Sequence, residues 1–148
     1  MNKKFKFKLD AVLKVRKLKE DQCKMEIGRI QVRISELESF LEENNKGIDE
    51  AYKAQEEALR KGATGLDLKF HPFFVSGKKA NMDVIKAEMN MHRESLEEKY
   101  KELNALRGEV KLVEQMKENE FAKFKKEKAK REFAEIEEQV RNWKQSVK

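Results

Sequence analysis

Apolar residues in the first half of the chain recur at helical spacing. Ile27, Ile30, Ile34, Leu37, Leu41, Ile48 and Ala51 follow one another in steps of three and four, with one step of seven that Asn44 divides. Such alternation brings one stripe of side chains to one face of a helix and marks a heptad seam. Run backwards, the same phase passes through Cys23, Glu20, Arg16, Leu13 and Leu9. Its polar members weaken that end of the seam, and polar seam residues can fix a register. No proline interrupts this stretch and its glycines, Gly28 and Gly47, are isolated. The pattern predicts a helix from about Leu9 to Lys61.

A breaker follows. Gly62, Gly65 and the single proline, Pro72, fall within Lys61–Pro72, and such clusters punctuate helices. Pro72 suits the first turn of a new helix, where no amide donor is needed. The second predicted helix runs from about Pro72 to Ser146, with a turn over about 62–72. Its seam reads Met82, Ile85, Met89, His92, Leu96, Lys99, Leu103, Leu106, Val110 and Val113. A further seam, Phe133, Ile136, Val140, Trp143 and Val147, is out of phase with it, so the stripe slips somewhere in 114–130, as a stutter would make it.

Two helices joined by a short breaker fold back on each other. The fold class is therefore all-α, a long two-helix antiparallel coiled-coil hairpin forming a single coiled-coil domain over 1–148. Setting the seams face to face places residue i opposite about 140 − i, give or take a heptad. Ile27 then meets Val113, Ile30 meets Val110, Ile34 meets Leu106, and Leu37 meets Leu103. Asn44 faces Leu96 and Ile48 faces His92. At about 1.5 Å per residue the helices span roughly 80 and 110 Å, so the last turns of the second are expected to project alone.

Composition agrees with a narrow core. Of 148 residues, 42% are charged, which suits long helices that bury only a stripe. Disorder is the alternative for so polar a chain, but the apolar residues fall in phase. The net charge is +6, and its distribution says more than its total. Residues 1–19 carry +7 and residues 123–131 carry +5, so the rest of the chain is at −6. In a hairpin both basic clusters come to one end. A basic surface seeks acidic partners, nucleic acid or a membrane surface. The lone Cys23 excludes an intrachain disulfide and fits a reducing compartment. No apolar h-region follows the positive N-terminus, and no apolar run of about 18 residues exists, so neither a signal peptide nor a membrane span is expected.

Catalytic and cofactor motifs are missing. There is no phosphate-binding loop, no glycine-rich nucleotide fingerprint and no metal-ligand spacing, so no cofactor and no small-molecule substrate is expected. His92 reads as a seam residue beside Met89 and Cys23 as a small seam residue, and His71, 21 residues from His92, lies on a different face or in a loop. Three features exceed a solvated helix. Phe5-Lys6-Phe7-Lys8-Leu9 precedes the first helix, as rod-end packing or as a docking tip. Phe70, Phe73, Phe74 and Val75 exceed what capping a turn needs and suggest a partner patch. Phe121, Phe124 and Phe133 interleave the basic run 123–131. That mixture can signal nucleic acid, but the phenylalanines are expected to face the core while lysines encircle the helix, which disfavours it.

The opening Phe5-Lys6-Phe7-Lys8-Leu9-Asp10-Ala11-Val12-Leu13-Lys14-Val15-Arg16-Lys17 resembles the start of the flagellar export protein FliJ family. That family opens on Phe-x-Phe-x-Leu, then Val-Leu and a basic segment, then a long charged helix. Chain length and the C-terminal pattern of Phe121, Phe124, Glu132 and Glu137-Glu138 are similar as well. The resemblance implies a non-enzymatic coiled-coil stalk of the type III export apparatus, cytoplasmic and peripheral to the membrane. Implied partners are the export ATPase hexamer, the export-gate membrane protein and export chaperones. It implies an ATPase-docking end at Phe5, Lys6, Phe7, Lys8, Lys14, Arg16, Lys125, Lys126, Lys130 and Arg131. It further implies an export-gate contact at Phe73, Phe74, Lys78, Asn81 and Ile85, with Gly77 and Lys78 departing from the apolar residues expected there. The alternative class is a coiled-coil arm that binds RNA or a nucleoprotein.

Overall fold

A computed structural model describes residues 4–65 and 70–147, with the side chain of Phe70 left out. Lys3, the turn residues Leu66 to Lys69 and the Phe70 ring of the expected aromatic patch lie outside the described residues. Two helices make up the fold, α1 (Asp10–Arg60) and α2 (Phe70–Ser146). The architecture is the all-α helical hairpin that the paired seams predict. It divides into two compact units, one of residues 23–102 and one of 1–22 with 103–148.

Local chemistry sets the helix ends. Asp10 lies in the first turn of α1, where a carboxylate complements the positive end of the helix dipole. At the other end the Gly62 amide donates to the Leu59 carbonyl at 3.2 Å and the Ala63 amide to the Ala58 carbonyl at 3.0 Å. That pair of bonds is a Schellman cap, and it needs the left-handed φ of 86° that Gly62 adopts. α2 begins at Phe70, two residues before the proline, so Pro72 still sits in the first turn, where its missing N–H costs nothing.

In the unit of residues 23–102, α1 and α2 run antiparallel around two apolar clusters. Leu37, Ile85 and Met89 are buried together, flanked by Ile34 and Leu41. Ile48, Ala51 and Val75 form the second cluster, against which Phe74 and Met82 pack. Between them sits Asn44, only 6% exposed. Its Nδ2 donates to the Phe40 carbonyl at 2.8 Å, and its Oδ1 accepts from Asn81 Nδ2 at 3.5 Å. A buried asparagine so satisfied penalises other pairings, because sliding the helices would leave its amide unmatched.

These contacts correct the expected register. Residue i lies opposite a residue near 126 − i, not 140 − i: Leu37 packs on Met89, not Leu103, Ile48 on Val75, not His92, and Asn44 faces Asn81, not Leu96. Val110 and Val113, expected against Ile30 and Ile27, instead share a cluster with Phe7 and Leu13. The shift is two heptads. A seam that repeats every seven residues looks the same after such a slide, so periodicity leaves the register open. The short link between Arg60 and Phe70 closes it by holding the facing helix ends together.

Ion pairs line the same unit. The Arg33 fork reaches Glu88 Oε1 through Nε at 3.2 Å and Nη2 at 3.0 Å, while Nη1 meets Glu36 at 3.1 Å. The Arg33 hydrogen bonds hold the Glu88 carboxyl below the usual carboxylate range, although partial desolvation opposes them. Lys99 bridges Glu26 and Glu102, and those hydrogen bonds raise its pKa. Cys23 is buried and donates Sγ to the Lys99 carbonyl at 3.5 Å. Burial and the nearby Glu102 push its thiol up, away from the thiolate that redox chemistry needs.

In the unit of residues 1–22 and 103–148, Phe7 and Leu13 bury against Val110 and Val113, with Phe5 and Leu9 packed on them. Arg16 meets Glu109 at 2.6 Å, Lys17 meets Glu114 at 3.2 Å, and Lys117 meets Asp10 at 2.9 Å. Beyond Phe124 every described residue of α2 is exposed. Phe133, expected to face the core, is 64% exposed. α2 is unbroken through the slip at 114–130. On a helix of about 3.6 residues per turn, the 23 residues from Val110 place Phe133 roughly 140° around the axis.

One substitution should act oppositely at two glycines. Gly62→Ala forces a Cβ into a left-handed backbone and should lower unfolding stability by about 1 kcal/mol. Gly28 is mid-helix with nothing within 4 Å of an added Cβ, so Gly28→Ala should raise stability by about 0.5–1 kcal/mol. Chemical denaturation of both variants reads the signs.

Glu88 supplies a pH dependence. A carboxylate whose folded pKa is depressed adds stability above its unfolded value and loses it as pH falls through the folded value. Glu88→Gln should therefore melt below the parent chain at pH 7. The gap in melting temperature should close as pH drops below about 4. A gap that persists at pH 2 would show that the Arg33 pairing is not its source.

Candidate functional site

The expected ATPase-docking residues all fall in the unit of residues 1–22 and 103–148. Packing divides them into two kinds. Phe7 is 5% exposed and belongs to the core of that unit. Phe5 lies against Phe121 and Phe124, with ring centroids at 5.0 and 5.5 Å and tilted planes, a favoured aromatic geometry. Residues 4–7 thus form a strap held onto α2 by alternate side chains. The alternation has a consequence for charge. With Phe5 and Phe7 turned inward, Lys4, Lys6 and Lys8 are exposed.

The basic residues of the helices differ in how they are used. Lys14, Lys126 and Lys130 are exposed, and no ion pair among the described residues involves them. Arg16 is tied to Glu109 across the helix pair, and Arg131 lies 3.8 Å from Glu127 within α2. Lys125 sits with Nζ 4.6 Å from the centre of the Phe121 ring, a cation–π contact that leaves its charge near the surface. The site that results is a set of solvated ammonium groups from both chain ends, brought into one unit by the packing of Phe5, Phe7 and Leu13 on α2. Sequence reasoning missed the partners Glu109, Glu114 and Asp10, because which carboxylate faces which cation depends on the register.

The expected gate residues lie in the other unit. Phe73 is 76% exposed. Phe74 packs on the cluster of Ile48, Ala51 and Val75, with Lys78 Nζ 5.5 Å from its ring centre. Asn81 is exposed and donates to Asn44. Ile85 is 8% exposed and packs with Leu37 and Met89 in the helix pair. Of the five, Phe73, Lys78 and Asn81 present surface.

Groups suited to a metal ion are absent among the described residues, and His92 Nε2 lies 3.4 Å from Glu88 Oε1 within the ion-pair line. Among those residues no helix is long and apolar enough to cross a membrane. The arrangement can present charge and a rigid helix pair to another macromolecule.

Comparison with known proteins places this geometry in a family. Neither a curated protein nor a solved structure matches the chain. A family described as Flagellar FliJ protein matches residues 5–147, from the first phenylalanine of the strap to the end of the exposed seam on α2. The chain therefore belongs to the flagellar FliJ family and is a component of the flagellar protein export apparatus.

Proposed function

We propose that this chain is a non-enzymatic stalk or adaptor that docks its terminal unit on the export ATPase hexamer. Residues near the turn would contact the export-gate membrane protein, and export chaperones are a third class of partner. The protein would act in the cytoplasm, peripherally at the inner face of the membrane. The observation that carries this reading is the convergence of the lysines of both chain ends, Lys6, Lys8 and Lys14 with Lys126 and Lys130, on one unit. Several ammonium groups with no internal acid steer an acidic surface into contact and fix its orientation. Family membership supplies the machinery in which such a surface works.

Charge reversal at Lys6, Lys8 and Lys14 should reduce binding to the cognate export ATPase by roughly tenfold or more, mainly in the association rate. Melting temperature should stay unchanged, since these side chains are exposed. Arg16 belongs in a separate variant, because reversal would set a carboxylate against Glu109 and lower stability as well. Unchanged ATPase binding would end the claim that this face docks. The RNA-arm alternative would show instead as sub-micromolar RNA affinity with a steep salt slope.

At the other unit, Phe73→Ala should weaken capture by the cytoplasmic part of the export gate while leaving the melting curve in place. Ile85→Ala should lower stability by about 2–4 kcal/mol, as core truncation does. Normal gate binding by Phe73→Ala would remove this contact from the proposal.

A further inference from the structure

The last turns of α2 carry a complete heptad seam that α1 does not cover. Phe133, Ile136, Val140, Trp143 and Val147 are 47–66% exposed, because in the 126 − i register α1, which starts at Asp10, does not extend to face them. Ala129 continues the phase one step earlier. A stripe of this kind on an otherwise polar helix is built to be covered.

The charges beside the stripe say by what. Residues 132–139 carry four carboxylates, Glu132, Glu135, Glu137 and Glu138, and no cation, whereas residues 140–148 carry Arg141, Lys144 and Lys148 and no acid. A segment acidic in its first half and basic in its second complements its own reverse. The chain's own helix pair supplies the contact rule. There the residue just after the second apolar position of one heptad meets its counterpart on the other helix, as Lys17 meets Glu114 at 3.2 Å and Gln31 meets Tyr100 at 2.8 Å. In the uncovered seam the corresponding residues are Glu137, after Ile136, and Lys144, after Trp143.

We propose that this seam binds the same seam of a second copy of this chain, antiparallel. Phe133 lies opposite Trp143 of the second copy, Ile136 opposite Val140, and Ala129 opposite Val147, each contact occurring twice. The same register sets Glu137 beside Lys144 of the second copy, again twice. Sliding one heptad in either direction places Lys144 against Lys144 or Glu137 against Glu137. A parallel pair places Glu132 against Glu137 on both flanks. Like charges so placed are unfavourable, which leaves the antiparallel register. Within one copy Glu137 has only a loose contact with Arg141, at 4.0 Å, and is available for the pairing. The paired seam overlaps the basic run 123–131 only at its first member, Ala129, and its flanking pair is Glu137 with Lys144, so the proposal does not rest on the ATPase-docking reading.

So short an interface falls at the weak end of protein association, with a dissociation constant on the order of 10–100 µM. Sedimentation equilibrium of the full chain from about 5 µM to 1 mM should show a monomer–dimer equilibrium in that range. Trp143→Glu should abolish it with an unchanged helical circular dichroism spectrum. Lys144→Glu turns two attractive flanks repulsive and should weaken it by roughly tenfold. Glu137→Lys combined with Lys144→Glu restores both pairs and should return it to within about threefold of the parent. A chain that stays monomeric at 1 mM would overturn the proposal, leaving another protein as occupant of the seam. A dimer indifferent to Trp143→Glu would overturn it too, as would a double variant no tighter than Lys144→Glu alone. The variants retain Lys6, Lys8 and Lys14, so ATPase binding can be read separately on the same proteins.

Discussion

The seam between α1 and α2 carries the structure. With 42% of its residues charged, the chain has no material for a second layer. Each buried side chain faces the other helix or nothing. Leu37, Ile85 and Met89, then Ile48, Ala51 and Val75 in one unit, and Phe7, Leu13, Val110 and Val113 in the other, form small separate clusters along the seam. Stability then depends on which residue faces which, since every apolar contact and every cross-helix ion pair moves together when the helices slide. Asn44 with Asn81, the Arg33 fork on Glu88, and the Schellman cap at Gly62 all act on that one variable.

The same economy explains the N-terminal strap. A short segment outside the helices has little to hold it except its side chains. Phe5 and Phe7 pack inward, while Lys4, Lys6 and Lys8 are exposed. Aromatic packing and charge display thus come from alternate residues of one stretch. The phenylalanines suspected of being a docking tip serve as anchors, and the lysines form the exposed surface. Near the turn the division is similar: Phe74 and Ile85 are committed to the helix pair, while Phe73 is presented to solvent.

Membership of the FliJ family gives these surfaces a setting in flagellar protein export. The two units expose different chemistry, lysines in one and Phe73 in the other. The uncovered stripe from Phe133 to Val147 adds a surface of a third kind, apolar in the middle and charged with opposite signs along its length. A helix can leave such a stripe open without unfolding, because its backbone hydrogen bonds are internal. That freedom lets one chain be both part of a paired core and a free helical arm.

What the sequence determined is whatever depends on neighbours a few residues away. Steps of three and four from Ile27 to Val113 identified both helices and the stripe on each. Gly62 and Pro72 placed the break, and the unequal lengths of the two predicted helices showed that the last turns of α2 would project alone. All are set by the fixed angle between successive residues of a helix. The tertiary structure alone decided the register, two heptads from the one the seams suggested, because a periodic pattern is indifferent to sliding by its own period. It also decided everything that follows from register. Arg16 and Lys17 find Glu109 and Glu114, Phe5 anchors on Phe121 and Phe124 while Phe133 stays in solvent, and Ile85 packs inside the helix pair. Those outcomes are contacts between residues far apart in the chain, and only the closing of the turn chooses among them.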